Sequence, residues 1–335
     1  MGFEISYQIN IPSKGLSKAT YSTVSLVKIQ GNTVGGGNML NPHFVTGFTD
    51  AEGCFSVSVQ KTTKTKIGYR IKPIFEISLN QRDRDLLYQI KTFFGNVGTI
   101  RDDKSGNSVK YAVENVKDLI SVIIPFFTKY PLLTQKAADF KLFVLILNIV
   151  NKGAHLTVEG LQQIINIKAS MNFGVSNMIK TAFSTMDPVA REIINTTNIP
   201  DPNWVSGFVS GEGNFDAGIR EAKNAVGARV YLRFRIAQHS RDVELMKLIV
   251  SYLGVGRIEY DTRKSLVYYI SAVSTDLTQA IIPFFNEYPI IGTKYLDYQD
   301  WCKIANLVSS GANLTKEGFE EIKRIEAGMN RARKS

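Results

Sequence analysis

The chain has 335 residues, with 40 Lys and Arg against 30 Asp and Glu and a formal net charge of +10 at neutral pH. Hydrophobic residues make up 44% and charged residues 21%, a globular balance that excludes collagen-like, coiled-coil, mucin-like and wholly disordered chains. Two cysteines without CxxC spacing, Cys54 and Cys302, exclude a structural zinc cluster and a disulfide scaffold and suit a reducing compartment.

The length gives a prior of two domains. The positive balance points to an anionic partner, nucleic acid before a membrane surface. No apolar run of about 18 residues occurs, so no membrane-spanning helix is expected; no membrane partner is expected, and the N-terminus carries no signal-peptide or transit pattern. Residues 1–40 are rich in Ser, Thr and Gly, with GGG at 35–37, and read as an N-terminal extension.

Asn41-Pro42 predicts a helix start, an N-cap followed by proline at the first helical position. That helix runs to about Ala51 and ends at Gly53. CFSVSVQK (54–61) alternates, with Phe55, Val57 and Val59 on one face and Ser56, Ser58 and Gln60 on the other. YRIKPIFEISL (69–79) alternates too, placing Ile71, Pro73, Phe75, Ile77 and Leu79 opposite Arg70, Lys72 and Glu76. A helix over 83–94, strands near 97–102 and 109–114, and helices over 116–128, 132–151 and 157–171 complete the unit. The result is an antiparallel sheet covered by helices on one face, with the other face left for solvent or a ligand.

The chain then repeats itself. NPHFVTGFTDAEGCF (41–55) faces DPNWVSGFVSGEGNF (201–215) at an offset of 160 residues. FEISLNQRDRDLL (75–87) faces FRIAQHSRDVELM (234–246) at 159. VIIPFFTKYP (122–131) faces AIIPFFNEYP (280–289), and GAHLTVEGLQQIINIKASMN (153–172) faces GANLTKEGFEEIKRIEAGMN (311–330), both at 158. Four blocks in one order, drifting by two residues, define a duplication. The units are 41–172 and 201–335, joined by a polar linker over 173–200.

The first helix of each unit carries an interior glycine, Gly47 and Gly207, at a cost of about 1 kcal/mol each against alanine. Close approach of the two helices about a pseudo-two-fold axis explains both. Glu52 and Glu212 are then brought together at the helix ends. Adjacent carboxylates repel unless a cation sits between them. Carboxylates with water suit Mg²⁺, which also binds phosphate oxygens. A metal serving two scissile phosphates suits hydrolysis of both strands of a duplex. A single copy of such a segment reads as a helix ended by glycine with a solvent-exposed glutamate; two copies in register weigh against that.

TGFTDAEGCF and SGFVSGEGNF resemble the paired motifs of monomeric, double-motif LAGLIDADG homing endonucleases. The IIPFF-x-x-YP, LT-x-EG and closing MN blocks resemble the fungal mitochondrial intron-encoded branch, and the likeness covers about 41–330. It implies an α+β fold of two pseudo-symmetric αββαββα units. The motif helices would lie at the centre, and the sheets would form a saddle over the major grooves of a near-palindromic duplex of roughly two helical turns. It implies a site-specific double-strand endonuclease, cutting one phosphodiester per strand across the minor groove to leave 3′ overhangs. It places the metal-binding acids at Glu52 and Glu212, with Ala51 and Gly211 beside them in the metal set. Mg²⁺ is the implied ion, Mn²⁺ a substitute, and Ca²⁺ an ion that supports binding without cleavage. Asp50 is an alternative first-copy acid, but its counterpart is Ser210. Gln238 stands where such enzymes carry a water-positioning glutamine, opposite Leu79 in the first unit. Lys136 and Lys294 coincide between repeats and are the candidate catalytic lysines. Some relatives are RNA maturases, so host intron RNA and a catalytically inactive DNA-binding protein stay open as alternatives. A mitochondrial location follows from the likeness alone.

The polar strand faces are the candidate DNA-reading surface: Ser56, Ser58, Gln60, Lys61, Arg70, Lys72, Glu76 and Ser78 in the first unit. The second unit offers Asn214, Asp216, Arg220, Arg229, Tyr231, Arg233 and Arg235. Arginine can bond guanine in a bidentate way, and glutamine or asparagine can do so with adenine. Lys61, Lys64, Lys66 and Lys223 are better placed for phosphates. His43, His155 and His239 are scattered, and no P-loop or GxGxxG occurs, which disfavours histidine-centred or nucleotide-driven chemistry.

Overall fold

The computed structural model describes residues 39–223 and 226–330. The expected N-terminal extension, apart from Met39 and Leu40, lies outside the described residues, as do residues 331–335. The first repeat runs α1 (Pro42–Glu52), β1 (Gly53–Lys61), β2 (Tyr69–Asn80), α2 (Arg84–Phe93), β3 (Thr99–Asp102) and β4 (Ser108–Val113). It continues with α3 (Val116–Asp118), α4 (Ile124–Lys129), α5 (Lys136–Asn151) and α6 (Val158–Ala169), and the linker adds α7 (Asn177–Ala182). The second repeat runs α8 (Pro202–Glu212), β5 (Gly213–Glu221), β6 (Ala228–His239), α9 (Val243–Leu253), β7 (Arg257–Asp261) and β8 (Leu266–Ser271). It ends with α10 (Ser274–Asp276), α11 (Ile282–Glu287), α12 (Lys294–Ser309) and α13 (Lys316–Glu326).

Each repeat folds one four-stranded antiparallel sheet, in the orders β1-β2-β4-β3 and β5-β6-β8-β7. The register puts Phe55 opposite Phe75, and Phe75 opposite Val113, on the helix-covered face. Pro73 sits in β2 beyond the β2–β4 ladder, so its missing N–H leaves no gap there. Phe55 gathers Phe75, Phe127, Phe140 and Phe143 around it, and Phe215 gathers Phe234, Phe285, Tyr298 and Trp301. The second phenylalanine of each PFF run is thus the helical lid on the sheet core.

The other repeated blocks also have physical reasons. Thr157 Oγ1 and Thr315 Oγ1 each accept from a backbone N–H three residues on, those of Gly160 and Gly318, both at 3.1 Å. The closing asparagines stitch helix to sheet. Asn172 donates its backbone N–H to Asp139 (2.8 Å) and its amide to Phe55 O (2.8 Å). Asn330 does the same with Asp297 (2.9 Å) and Phe215 O (3.2 Å).

Three boundaries differ from those the periodicity predicts. Residues 119–123 and 277–281 are π turns that widen each helix just before Pro125 and Pro283. A proline inside a helical run lacks an N–H and crowds the preceding turn, and the wider turn absorbs it. The helix expected from 132 begins at Lys136, because the amides of Leu133 and Thr134 are taken by Asp50. The linker is also strapped to the first repeat: Arg191 pairs with Asp139 and donates to Gln135 O at 2.9 Å, and Gln135 exchanges two bonds with the Ile194 backbone.

Candidate active site

The motif helices α1 and α8 begin alike. Asn41 Oδ1 accepts from His43 N, and Asp201 Oδ1 from Asn203 N, both at 2.8 Å, with proline next in each chain. The two helices pack against each other along their length. A Cβ at Gly47 would collide with Trp204 O and lie 2.9 Å from Phe208 N. A Cβ at Gly207 would collide with Phe44 O and lie 2.9 Å from Phe48 N. Both glycines therefore serve the close approach of two backbones, as their positions predict. Gly53 and Gly213 work differently from a left-handed helix cap. Their φ values are −79° and −70°, and a Cβ would lie 2.5 Å from Thr49 Cγ2 or from Val209 Cγ1. Glycine is needed there so that the helix can turn directly into the strand.

This junction brings the helix ends together. Gly211 packs on Ala51, and a Cβ on it would lie 3.3 Å from Glu52 Oε1. Among the described residues, neither the Glu52 nor the Glu212 carboxylate has a hydrogen-bond or ion-pair partner in the protein. Burial pushes the Glu52 carboxyl up, with the two lysines opposing. Burial, and then the neighbouring Glu52, push Glu212 up to about 7. Lys136 Nζ donates to Thr49 O (2.8 Å), Asp50 O (2.9 Å) and Ala51 O (3.3 Å). Lys294 Nζ donates to Val209 O (3.2 Å) and to Gly211 O. Each ammonium thus caps the C-terminal carbonyls of its own repeat's motif helix, where a cation complements the helix dipole. Burial lowers both lysines, Lys294 to about 8, while both glutamates pull the other way. The four groups form one cluster, bordered by a cleft lined by Glu52, Asp83, Gly211, Asn214, Thr293 and Lys294.

Asp50 has a different place. It is 2% exposed, and its two oxygens take four donors: Leu133 N (2.8 Å), Thr134 N (3.1 Å), Thr134 Oγ1 (2.6 Å) and Trp204 Nε1 (2.9 Å). Its counterpart Ser210 holds the equivalent turn with one bond, accepting from Ile291 N at 3.1 Å. Asp50 pins a turn and the facing helix. Gln238 lies at the end of β6, paired with Val267, and its side-chain oxygen accepts from His239 N at 2.8 Å. Leu79, its counterpart, lines the cleft beside Glu52.

The strand-face residues fall on one face as their alternation predicts. Ser58 lies opposite Lys72 and Gln60 opposite Arg70. Asn214 lies opposite Arg235, Asp216 opposite Arg233 and Arg220 opposite Arg229. Ser56, Glu76 and Ser78 share the parity of the first set; Lys61 has the other parity and is exposed at the strand end. The face is internally paired. Arg233 donates to Asp216 at 2.6 Å, and Arg220 lies 4.7 Å over the Tyr231 ring. Sequence reasoning missed the contribution of the short strands. Lys110 pairs with Glu76 at 3.0 Å, Arg101 and Lys72 share Glu114, and Tyr268 lies under Arg235. The parity of Lys110 with Ser78, its partner across the ladder, is the signal that could have found it.

Residues 45–147 and 205–305 match the LAGLIDADG endonuclease family. The chain is 45% identical to probable intron-encoded endonuclease 3 of Neurospora crassa, over 84% of this chain and 53% of that protein, so it spans about half of that relative's length. It is 36% identical to probable intron-encoded endonuclease 2 of the same fungus, over 94% of this chain and 73% of that protein. The fold superposes on the I-SmaMI LAGLIDADG homing endonuclease bound to cleaved DNA with a TM-score of 0.86 and 43% identity, over 88% of this chain and 98% of that one. It also superposes on I-GzeII in complex with its DNA target, with a TM-score of 0.82 and 42% identity, over 88% and 100% of the two chains. The chain belongs to the LAGLIDADG endonuclease family. Its two sheets match those that form the DNA-binding saddle of such enzymes.

Proposed function

We propose that this chain is a site-specific endonuclease that hydrolyses one phosphodiester in each strand of a DNA duplex, across the minor groove, leaving 3′ overhangs. The observation that carries the reading is the pair Glu52 and Glu212, half-buried and, among the described residues, without hydrogen-bond or ion-pair partners, at the joined ends of two helices that each open a charged sheet. Two carboxylates held this way are costly unless a cation or a proton resolves them.

The residues fit a divalent ion. Among the described residues no three His, Cys, Asp or Glu stand together as a ready-made metal cage. Two carboxylates, with the remaining positions left to water and phosphate oxygens, suit Mg²⁺. Glu52 and Glu212 would hold it, with the carbonyls of Ala51 and Gly211, whose second lone pairs the lysines leave available. A bound ion would offset the paired negative charge, polarise the scissile phosphate and activate water. Mn²⁺ is the expected substitute and Ca²⁺ the expected inert one; I-SmaMI has been solved on an uncleaved target in the presence of calcium ions.

Lys136 and Lys294 supply positive charge beside the phosphate, and Gln238 orients water in the second half of the site. The strand faces read bases and the turn lysines hold phosphates. Because one chain carries both acids, it acts as a monomer on a target of roughly two helical turns. A mitochondrial setting is proposed from kinship with intron-encoded fungal proteins. The test exchanges Glu52→Gln and Glu212→Gln separately. Each variant is expected to keep DNA binding in Ca²⁺ and to lose double-strand cutting in Mg²⁺ by at least about a hundredfold. Either variant cutting both strands at the wild-type rate would contradict the assignment.

A further inference from the structure

Each lysine-bearing helix takes a carboxylate of the opposite repeat at its N-cap residue; in α5 the Lys136 N–H is also held within its own repeat, by Thr134 Oγ1 at 3.2 Å. Neither α5 nor α12 is capped by its own N-cap side chain. For α12, Asp83 of the first repeat accepts from Thr293 N at 2.7 Å and from Thr293 Oγ1 at 2.9 Å. For α5, Asp242 of the second repeat accepts from Gln135 N at 2.6 Å. Asp83 and Asp242 are equivalent positions of the repeat, as are Gln135 and Thr293. The exchange is reciprocal in the core too. Leu133 packs in the second repeat's core, and its counterpart Ile291 packs against the first. A carboxylate at a helix N-terminus satisfies orphan amides and complements the dipole. The residue right after each capped position is the lysine, Lys136 or Lys294.

We propose that Asp83 and Asp242 are crossed positioning residues. Each fixes the first turn of the lysine helix in the other repeat and so holds that lysine on its motif-helix carbonyls. The catalytic meaning of this clamp rests on the endonuclease reading above; the clamp itself does not. It ties the placement of each lysine to the docking of the opposite repeat, so both halves must be seated before either lysine is in position.

The test uses the full chain with Asp83→Ala, Asp242→Ala, the milder Asp83→Asn and Thr293→Val, Lys294→Ala, and the Asp83→Ala/Lys294→Ala pair. Acetic anhydride labelling of the metal-free protein, read by mass spectrometry, reports each lysine's engagement without any cutting. Asp83→Ala is expected to speed labelling of Lys294 several-fold and leave Lys136 unchanged, and Asp242→Ala to do the reverse. In Mg²⁺, on a duplex recovered by cleavage selection, Asp83→Ala should slow cutting about tenfold. It should add little to Lys294→Ala, since the two act as one unit. Asp83→Asn, which keeps an acceptor for Thr293 N–H, should recover part of both effects. Labelling that rises at both lysines alike, at the lysine of the same repeat, or at neither overturns the clamp. A wild-type protein that binds but does not cut sinks the endonuclease reading, while the labelling pattern still decides the clamp.

Discussion

Asp50 and Glu52 stand two residues apart on one helix and meet opposite surroundings. Four donors saturate Asp50, whereas no protein donor reaches Glu52 among the described residues. Sequence already ranked Asp50 lower, because Ser210 cannot supply a second acid. It could not show the reason, since Trp204 and Leu133 come from distant parts of the chain. The same burial gives a pH signature. Glu212 is raised to about 7 from an ordinary value of 4.5, so between these limits the folded state holds a proton that the unfolded state has lost. Its contribution to stability is complete below pH 4.5 and lost as pH rises through about 7. Lys294, lowered to about 8 from 10.5, works in the opposite sense at higher pH. Its stabilising contribution is present above pH 10.5 and lost as pH falls through about 8. Melting temperatures of the metal-free protein should therefore fall from pH 5 to 8. Glu212→Gln should flatten that slope and raise the melting temperature at pH 8. An unchanged slope would mean that Glu212 is not desolvated.

At the scale of elements, the two motif helices depend on glycine at their crossing. Gly47→Ala or Gly207→Ala drives a methyl into the facing backbone. Backbone cannot rotate away as a side chain can, so each should cost about 3 kcal/mol, read by urea unfolding against the wild type. A loss under about 0.5 kcal/mol, the range of an uninvolved surface site, would show that the helices do not touch there. The helices and long strands were legible because amphipathic alternation and N-cap signals are local. Thr99–Asp102 is too short for its alternation to place Arg101 on the reading face. The start of α5 at Lys136 was illegible for another reason: the amides leading into it, those of Leu133, Thr134 and Gln135, are taken by Asp50 and Asp242, over 80 and over 100 residues away in the chain. Long-range caps leave no mark near the helix they end.

Across the whole molecule, duplication gives one architecture twice and chemistry that differs. The sheets share order and nearly the same register. The first presents Ser56, Ser58, Gln60, Lys72 and Ser78 with Arg70, Arg101 and Glu76, and the second is dominated by Arg229, Arg233 and Arg235 around Tyr231. Unequal faces predict unequal half-sites, so the target should depart from a palindrome. The duplication itself was legible because its blocks kept their order; how the halves cross at Leu133 and Ile291 needed three dimensions. The most direct test of the endonuclease reading is selection by cleavage: purified protein, randomised duplex DNA, and Mg²⁺ against Ca²⁺ or EDTA. Cut products should share one long asymmetric site, nicked on both strands a few bases apart, with Mg²⁺ only. Enrichment of bound but uncut DNA in Mg²⁺, or selectivity for intron RNA alone, would contradict it.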